Sequence, residues 1–141
     1  MWNESEVLVD RKSKFQGRCC RITSQEDIPK ILDNLLGTNK AVARASHQHM
    51  YAWRVAEVAY AKNVKAVNQV KEHYTNLQQG SSDCGEAGAG RRLLTLLENY
   101  KVVGVLLIVT RWYGGTPLGP KRFRNISTVA TESLKRANVI L

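Results

Sequence analysis

Residues 102–110, VVGVLLIVT, form the most apolar run of the chain. The run is rich in β-branched residues and shows no alternation of apolar and polar positions, so it predicts a strand that is buried on both faces. Such a strand lies in the middle of a sheet. Any fold of this chain must therefore be built around a central β-sheet.

The chain has 141 residues, about the modal size of one domain, so we expect residues 1–141 to fold as a single domain. No apolar stretch approaches the roughly 18 residues that a membrane span needs, and the N-terminal residues lack the order of a signal peptide. The sequence therefore predicts a soluble, cytoplasmic protein with no membrane partner.

The three cysteines of the chain are too few for a disulfide framework and lack the paired spacing of a zinc site. We expect free thiols in a reducing compartment. Cys19 and Cys20 are adjacent in a β-prone segment, where side chains alternate between faces. This spacing predicts that one of them faces the core and the other faces outward.

The other elements follow from hydrophobic periodicity. Two strands are predicted early in the chain, the second within residues 15–22. A helix follows over residues 28–35, with Ser24 or Asp27 as its cap and Gly37 as its end. A strand with Tyr51, Trp53 and Val55 on one face comes next. Apolar residues three or four positions apart then predict a helix from Val64 to Leu77.

Two more helices are predicted in the second half of the chain. The inner face of the first holds Leu93, Leu96, Leu97 and Tyr100. The last helix starts with Gly119 as cap and Pro120 as first residue, and its predicted buried stripe consists of Phe123, Ile126, Ala130 and Leu134. Taken together, the elements predict helices packed on a mixed sheet.

The formal net charge is +9, which favours anionic partners such as RNA or acidic protein surfaces. The alternative is a surface that is merely solvated. The cations are clustered, which is expected of an anion-binding surface. The clusters are Arg11, Lys12, Lys14, Arg18 and Arg21; Arg91 and Arg92; Arg111; and Lys121, Arg122 and Arg124.

The segment GEAGAGRR, residues 85–92, approaches the phosphate-binding pattern G-x-x-x-x-G-K-[ST] without matching it. Gly85 and Gly90 have the required separation, but Arg91 stands in place of the lysine and Arg92 in place of the hydroxyl. No nucleotide cofactor is predicted. Two interpretations stay open: backbone N–H groups and Arg91 bind an anion, or the Glu86 carboxylate satisfies those N–H groups itself.

The segment RWYGGTPLG, residues 111–119, leaves the carboxyl end of the predicted central strand, where α/β sheets place ligand crevices. Gly114 and Gly115 permit unusual backbone conformations and close approach. Arg111 either forms an ion pair at the edge of the core, with Glu86 as the partner, or contacts an anion in solvent. The two aromatic residues between them cover the sheet end or stack on a partner.

The sequence contains no catalytic constellation with a defined nucleophile beside a base, so a non-enzymatic protein is predicted. The enzyme alternative is a hydrolase that uses Glu86, His47 and Arg111. His47 and His49 are one residue apart and have no third ligand nearby, so a surface or hydrogen-bonding role is favoured and no metal is predicted.

Four segments resemble the Impact/YigZ family, and together they cover the chain from about Lys12 to Leu134. They are KSKFQGRCCRI, ARASHQHMYAWRV, DCGEAGAGRRLLTLLE and RWYGGTPLGPKRF. The resemblance implies an α+β two-layer fold like the second domain of ribosomal protein S5, with a mixed sheet of four or more strands and helices on one face. It also implies a stand-alone fungal or other eukaryotic member, without an RWD domain or a C-terminal ferredoxin-like domain.

The resemblance further implies a shared site on two loops, which comprises Asp83, Gly85, Glu86, Gly88, Arg111, Trp112, Tyr113, Gly114, Gly115 and Gly119. Five further candidates are predicted from the residue types alone, either beside these loops in sequence or as members of the hypothetical active site. They are His47, Gly90, Arg91, Lys121 and Arg122.

The function that the resemblance implies is non-enzymatic regulation. Family members act in translational control and in amino-acid-starvation signalling through contacts with other proteins, so a partner from the translation or starvation-kinase machinery is expected. Actin is a further partner that the resemblance implies. The alternative, which rests on the net charge, is an RNA-binding or ribosome-binding protein that uses its basic surface.

Overall fold

The computed structural model describes residues 2–60 and 72–141. Within them the chain forms six β-strands: β1 (Asn3–Glu4), β2 (Leu8–Asp10), β3 (Ser13–Arg21), β4 (His47–Tyr60), β5 (Glu72–Ser82) and β6 (Val105–Trp112). The same two ranges contain four α-helices: α1 (Ile28–Thr38), α2 (Lys40–Ala43), α3 (Ala89–Asn99) and α4 (Lys121–Arg136). No helix in these ranges is long and apolar enough to cross a membrane.

The strands form one sheet with β6 at its centre, in the order β1-β3-β6-β4-β5, and β2 also pairs with β3. Residues 105–111 of β6 are all buried. The prediction of a central strand buried on both faces is therefore confirmed. Every pairing between the described strands is antiparallel. The expected mixed sheet would also contain a parallel pair of strands. Here β3 and β4 run in the same direction, but β6 lies between them and runs antiparallel to both, so no parallel pair forms.

Helices cover both faces of this sheet. On one face, Leu107 and Val109 join a core cluster with residues of α3 and α4. On the other face, Leu106 and Ile108 join a second cluster with residues of α1 and α2. The α+β fold class is confirmed, and α1 and α2 add a helical layer on the face that was expected to be open. A strand that is apolar on both sides requires cover on both sides.

Cys19 and Cys20 point to opposite faces of β3, and both are buried, with exposures of 1% and 3%. Cys19 belongs to the cluster under α3 and α4, and Cys20 to the cluster under α1 and α2. The expectation that one thiol faces outward is therefore wrong. The pleat alternates as predicted, but both faces of β3 are covered.

The buried thiols are expected to resist alkylation. Burial raises the pKa of Cys20 to about 11 and also raises the pKa of Cys19, and the thiolate is the reactive form. Iodoacetamide at pH 8 should therefore label the half-buried Cys84 in the native protein and leave Cys19 and Cys20 unmodified. Peptide mapping by mass spectrometry measures this. Equal labelling of all three cysteines in the native protein would contradict it, and denatured protein serves as the control.

The helix predicted from Val64 to Leu77 is wrong where the structure describes it. Residues 72–77 belong to β5, whereas residues 64–71 lie outside the described ranges. Tyr74 and Leu77, two of the apolar residues whose spacing predicts that helix, are 43% and 45% exposed. The long pairing of β5 with β4 overrides the local periodicity.

The predicted helix α1 is confirmed over Ile28–Thr38, with Ile28 and Leu35 buried. Its start involves both candidate caps. The Ser24 hydroxyl accepts a hydrogen bond from the backbone of Glu26 and caps a short 3-10 turn, after which Asp27 serves as the N-cap of α1 without a side-chain bond.

α3 and α4 match their predicted stripes in part. α3 buries Leu93 and Leu97 as predicted, but Tyr100 at its C-terminal end is 47% exposed. α4 has Pro120 rather than Gly119 as its N-cap, one residue later than predicted. It buries three of the four predicted stripe residues, Ile126, Ala130 and Leu134.

Candidate functional site

Two loops lie against each other at one end of the sheet. The Trp112 loop, residues 111–119, begins at the end of β6, and the Glu86 loop, residues 83–88, connects β5 to α3. The antiparallel register places Arg111 opposite His47, the first residue of β4. β5 also ends beside the start of β4, so both loops emerge at the same place.

A cluster of four charged or ionisable side chains joins the loops, and we call it the Glu86 cluster: Glu86, Arg111, Arg122 and His47. Glu86 is only 6% exposed. Arg111 Nη1 donates hydrogen bonds to both carboxylate oxygens of Glu86, at 3.0 and 2.8 Å. Arg122 Nε lies 2.7 Å from Oε1, an ion pair without hydrogen-bond alignment, and His47 Nε2 lies 3.3 Å from Oε2.

His47 connects this cluster to the backbone of the Glu86 loop. Its Nδ1 lies 3.0 Å from the carbonyl oxygen of Cys84, and its Nε2 faces the Glu86 carboxylate. A carbonyl and a carboxylate only accept hydrogen bonds. The two ring nitrogens therefore face one acceptor each. In this position His47, whose side chain is 22% exposed, connects the start of β4 to the Glu86 loop.

Arg111 forms an ion pair inside the protein rather than a contact with an anion in solvent. It is 4% exposed, and its guanidinium lies 5.2 and 5.4 Å from the ring centroids of Phe15 and Tyr113. Its Nη2 is also 3.5 Å from Ser13 Oγ. Of the two interpretations of Arg111, the ion pair with Glu86 is therefore correct, and the exposed contact is wrong.

Asp83 satisfies the backbone N–H groups at the start of α3. Its Oδ2 accepts from Gly88 at 3.1 Å and its Oδ1 accepts from Gly90 at 2.8 Å. Sequence reasoning assigned these groups to Glu86 or to a bound anion, and both assignments are wrong, because Asp83 occupies the position. Glu86 is instead turned toward the two arginines.

Gly88 is the N-cap residue of α3, but Asp83 supplies the side-chain acceptors that a capping residue would normally supply. Replacing Asp83 with alanine is therefore expected to lower the free energy of unfolding by about 1–2 kcal/mol, as for the loss of a helix-capping side chain. Asp83→Asn keeps one acceptor oxygen and should lose about half as much. Urea unfolding followed by circular dichroism measures both variants. A loss below about 0.3 kcal/mol in Asp83→Ala would show that the cap contributes nothing.

The adjacent glycines of the Trp112 loop have different roles. A Cβ on Gly114 would overlap the carbonyl group of Lys12 and the backbone nitrogen of Ser13. Gly115 has open space around it but a φ of +95°, in the left-handed region. Close approach explains the first glycine and backbone conformation explains the second.

The remaining predicted glycines line the contacts between the loops and α4. Gly85 lies against the His47 ring, Gly88 lies against the Phe123 ring, and Gly90 packs on the backbone of Ser82. The carbonyl of Gly119 accepts a hydrogen bond from Arg122 Nη1 at 2.8 Å. Gly85, Gly88 and Gly90 therefore serve the packing of the site, whereas Gly119 has open space around it and a φ of +60°.

Among the candidates with a side chain, Tyr113, Arg91 and Lys121 are exposed; the glycines Gly85, Gly88 and Gly115 are exposed too. Trp112 is half-buried, and its Nε1 donates to the carbonyl of Ala41 at 2.8 Å. Lys121 Nζ lies 3.7 Å from Asp10 Oδ2. A hydrogen bond from Asn125, reinforced by the charges of Lys121 and Arg11, lowers the pKa of Asp10. Lys121 thus faces a carboxylate of its own chain.

A groove that sequence reasoning missed lies beside the Trp112 loop, on the face of β2 and β3 that α2 leaves partly uncovered. We call it the edge groove. It has a volume of about 530 Å³ and is lined by Val7, Val9, Lys12, Lys14, Gln16, Ala41, Trp112 and Tyr113. The alternation of Val7 and Val9 was visible in the sequence, but not the fact that their face lacks a covering helix.

The hydrolase hypothesis placed Glu86, His47 and Arg111 together, and the structure does bring them together. Their geometry is that of an internal ion cluster, since both carboxylate oxygens are bound by guanidinium groups. The nearby hydroxyl of Ser46 donates to the carbonyl of Arg111 and accepts from the backbone of Tyr113, so it too is engaged in holding the loop. The arrangement supports a structural role for these residues.

Within residues 2–60 and 72–141, no group of three histidine, cysteine, aspartate or glutamate side chains is arranged to hold a metal ion. His49, the second histidine of the predicted pair, packs against the Tyr51 ring at 6.2 Å between centroids. The ladder with β6 has a register shift between His47 and Met50, and only His47 belongs to the Glu86 cluster.

Comparison with known proteins agrees with this architecture. The model of the Impact N-terminal domain matches residues 11–134. The chain is 54% identical to the IMPACT family member YDL177C of Saccharomyces cerevisiae, in an alignment that covers 99% of this chain and 94% of that protein. It is 35% identical to the Protein IMPACT homolog of the same yeast over 96% of this chain, but spans only 46% of that relative.

Two solved structures have similar folds. One, the two-domain translational regulator Yih1, shares 34% identity with a TM-score of 0.56, and the match covers 96% of this chain and 46% of that one. The other, a hypothetical protein, shares 20% identity with a TM-score of 0.58, which supports the fold alone. The family model covers most of the chain, and the identities are high over nearly its full length. The chain therefore belongs to the Impact family.

Proposed function

We propose that this chain is a non-enzymatic regulatory module that acts in translational control by binding a partner protein at the edge groove and the adjoining Trp112 loop. Membership of the Impact family and similarity to a translational regulator support the regulatory role. The observation that carries the proposal is the exposed apolar surface beside the family's most distinctive loop. A cytoplasmic location, where translation takes place, is part of the proposal.

Exposed apolar side chains are concentrated at the edge groove. Val9 is 62% exposed, Tyr113 is 49% exposed and Val7 is 45% exposed. These are three of the seven large hydrophobic residues that are exposed among the described residues. Scattered exposed hydrophobics are ordinary, but a group of them with an aromatic residue is typical of a protein-binding surface.

The charge of the groove defines the chemistry of the partner. Lys12 and Lys14 are exposed at its rim, and no carboxylate is among its lining residues in the described part of the chain. Electrostatic complementarity across an interface therefore favours an acidic segment with apolar side chains. We expect such a segment to insert an apolar side chain beside Tyr113 and to place its acids near the lysines.

The Glu86 cluster holds the Trp112 loop, which forms one side of the edge groove, in place. Arg111 holds Glu86 and contacts the Tyr113 ring, and Ser13 Oγ accepts a hydrogen bond from the backbone of Gly114 at 3.0 Å. These bonds fix the loop before a partner arrives. A preorganised loop loses less conformational entropy on binding, which raises affinity.

Affinity capture from nuclease-treated yeast lysate tests the proposal. The wild-type chain should retain a translation-associated protein, and Tyr113→Ala should reduce its recovery at least tenfold, as expected for loss of an aromatic anchor worth about 2 kcal/mol. Tyr100→Ala is the matched control, since Tyr100 is 47% exposed on α3, away from the groove. Equal recovery with both variants, or no translation-associated protein in the wild-type sample, would overturn the proposal.

The finer identity of the partner stays a prediction. The starvation-kinase machinery and actin both follow from the family resemblance, and quantitative mass spectrometry of the captured proteins distinguishes them. The RNA-binding alternative requires cations that are free of ion pairs. The Glu86 cluster does not supply them, because Arg111 and Arg122 both bind Glu86.

A further inference from the structure

A group of cations without ion pairs among the described residues lies on the outer surface of α3 and α4 and borders the end of the Glu86 loop at Gly88. Arg91 and Arg92 of α3 and Arg124 and Lys135 of α4 are all exposed. We call the surface that contains them the α3–α4 face. It includes the hydroxyl residues Ser127, Thr128 and Thr131 and a shallow groove of about 470 Å³.

The spacing of residues on α4 produces this face. Arg124, Ser127, Thr128, Thr131 and Lys135 recur every three or four positions, so they form one stripe along the helix. Arg92 closes the groove from the side of α3, since its Nε donates to Ser127 Oγ at 2.8 Å. A second depression shares Arg92 and continues to Arg91 and Thr95. The donors therefore follow one continuous path over the two helices.

The cations of this face form no ion pairs within the described part of the chain. No carboxylate of the described residues forms an ion pair with Arg91, Arg92, Arg124 or Lys135. The one acid among the residues that line the groove, Glu132, binds Arg136 at 2.9 Å and accepts from the backbone of Glu6. Arg136 also lies 3.4 Å from Glu6, so it is shared by two carboxylates. The groove therefore sets one acid against three cations that form no ion pair, Arg92, Arg124 and Lys135.

We propose that the α3–α4 face binds the phosphate backbone of a nucleic-acid duplex, with RNA as the natural ligand. Guanidinium, ammonium and hydroxyl donors in an open groove are the groups that contact phosphate oxygens. The proposal does not depend on the edge groove, which lies on the other side of β3.

The composition of the face favours a nucleic acid over a protein. None of the large hydrophobic residues that are exposed in the described ranges lines the groove, whereas a stable protein interface needs apolar or aromatic anchors. The nearest aromatic ring, that of Phe123, is half-buried and covered by the Arg122 guanidinium at 4.4 Å. No exposed aromatic ring is among the described residues that line the two depressions of this face. Binding should therefore depend on the backbone and show no sequence preference.

Fluorescence anisotropy with a labelled 20-base-pair RNA duplex tests the proposal. Four phosphate contacts at about 0.9 counterions each predict that affinity falls roughly 100-fold between 50 and 200 mM salt. A DNA duplex of equal length tests whether the face prefers RNA. Weaker binding of DNA would support RNA as the natural ligand, whereas equal binding would support a duplex-binding face and contradict the preference for RNA. Affinity that does not change with salt, or no binding at 50 mM salt, would overturn the proposal.

Two variants of equal net charge locate the contact. The triple substitution Arg91→Gln, Arg92→Gln and Arg124→Gln should weaken RNA binding at least 30-fold and reduce the salt dependence to that of about one contact. The matched control replaces three exposed cations of α1, α2 and the turn that follows, Lys30→Gln, Lys40→Gln and Arg44→Gln. The control should lose less than threefold. Equal losses of RNA affinity in the two variants would show that net charge alone explains binding and would refute a site on this face.

Two further measurements keep the interpretation clear. Thermal unfolding by circular dichroism verifies that both triple variants are folded, as expected for exposed positions. A polyglutamate peptide that carries as many charges as the duplex should compete poorly, since it lacks the spacing of phosphates along a duplex. Competition as strong as that of RNA would instead assign the face to acidic proteins. Tyr113→Ala should leave RNA affinity unchanged, which separates this proposal from the function of the edge groove.

Discussion

Replacing Glu86 with alanine is expected to lower the free energy of unfolding by about 3–5 kcal/mol, the usual cost of removing one partner from a buried ion pair. The variant leaves the Arg111 guanidinium, which is 4% exposed, without its carboxylate partner. Typical domains are stable by only about 5–15 kcal/mol, so the loss is large. Urea unfolding, read out by tryptophan fluorescence, measures it.

A second variant separates the cost of an unpaired charge from the cost of lost packing. Glu86→Leu combined with Arg111→Met removes both charges and keeps apolar volume, so it should recover most of the stability lost in Glu86→Ala. If Glu86→Ala lost less than about 1 kcal/mol, or if the double variant were no better, the Glu86 cluster would not be what holds the loops together.

Replacing Gly114 with alanine is expected to lower the free energy of unfolding by about 3 kcal/mol, at the upper end of the cost of overpacking. The added Cβ would meet the backbone of Lys12 and Ser13, which cannot rotate away as a flexible side chain does. Displacement of the loop would also disturb the bond from Gly114 to Ser13 Oγ. Thermal and urea unfolding measure the change, and capture of the partner protein should fall with it.

Gly115→Ala is the matched control for that variant, because the two positions are adjacent in the same loop. A Cβ on Gly115 meets nothing within 4 Å, so its cost is limited to the strain of φ +95°, about 1 kcal/mol. If Gly115→Ala were as destabilising as Gly114→Ala, backbone conformation rather than close approach would explain both glycines.

The distribution of charge between paired and free cations explains why net charge alone was a poor guide to the binding surface. Arg18 and Arg111 belong to the sequence clusters that suggested anion binding, yet they are 1% and 4% exposed. Arg18 lies 3.1 Å from Glu4, and burial lowers its pKa. Both arginines therefore serve the interior, whereas Lys12, Lys14, Arg91, Arg92 and Arg124 of the same clusters are exposed.

The candidate site was predicted in part from the sequence. Glycines, aromatics and charges in two short segments indicated two shaped loops, and Glu86 was a named partner for Arg111. The exchange of roles between Asp83 and Glu86 was not predicted. Both are acids near the start of α3, and only the path of the backbone decides that Asp83 receives the N–H groups while Glu86 faces the arginines. The edge groove was missed because it depends on where α2 ends.

The sequence by itself determined the central strand, the helical stripes of α1 and α4, and the family, because these depend on residue types at regular spacing along one segment. Tertiary structure alone decided that residues 72–77 form a strand, that both Cys19 and Cys20 are buried, and which arginines are free. Each of these outcomes depends on what a distant segment places against the residue. Pairing with β4, cover from helices on two faces and capture of two guanidinium groups by one carboxylate are long-range contacts that local periodicity does not encode.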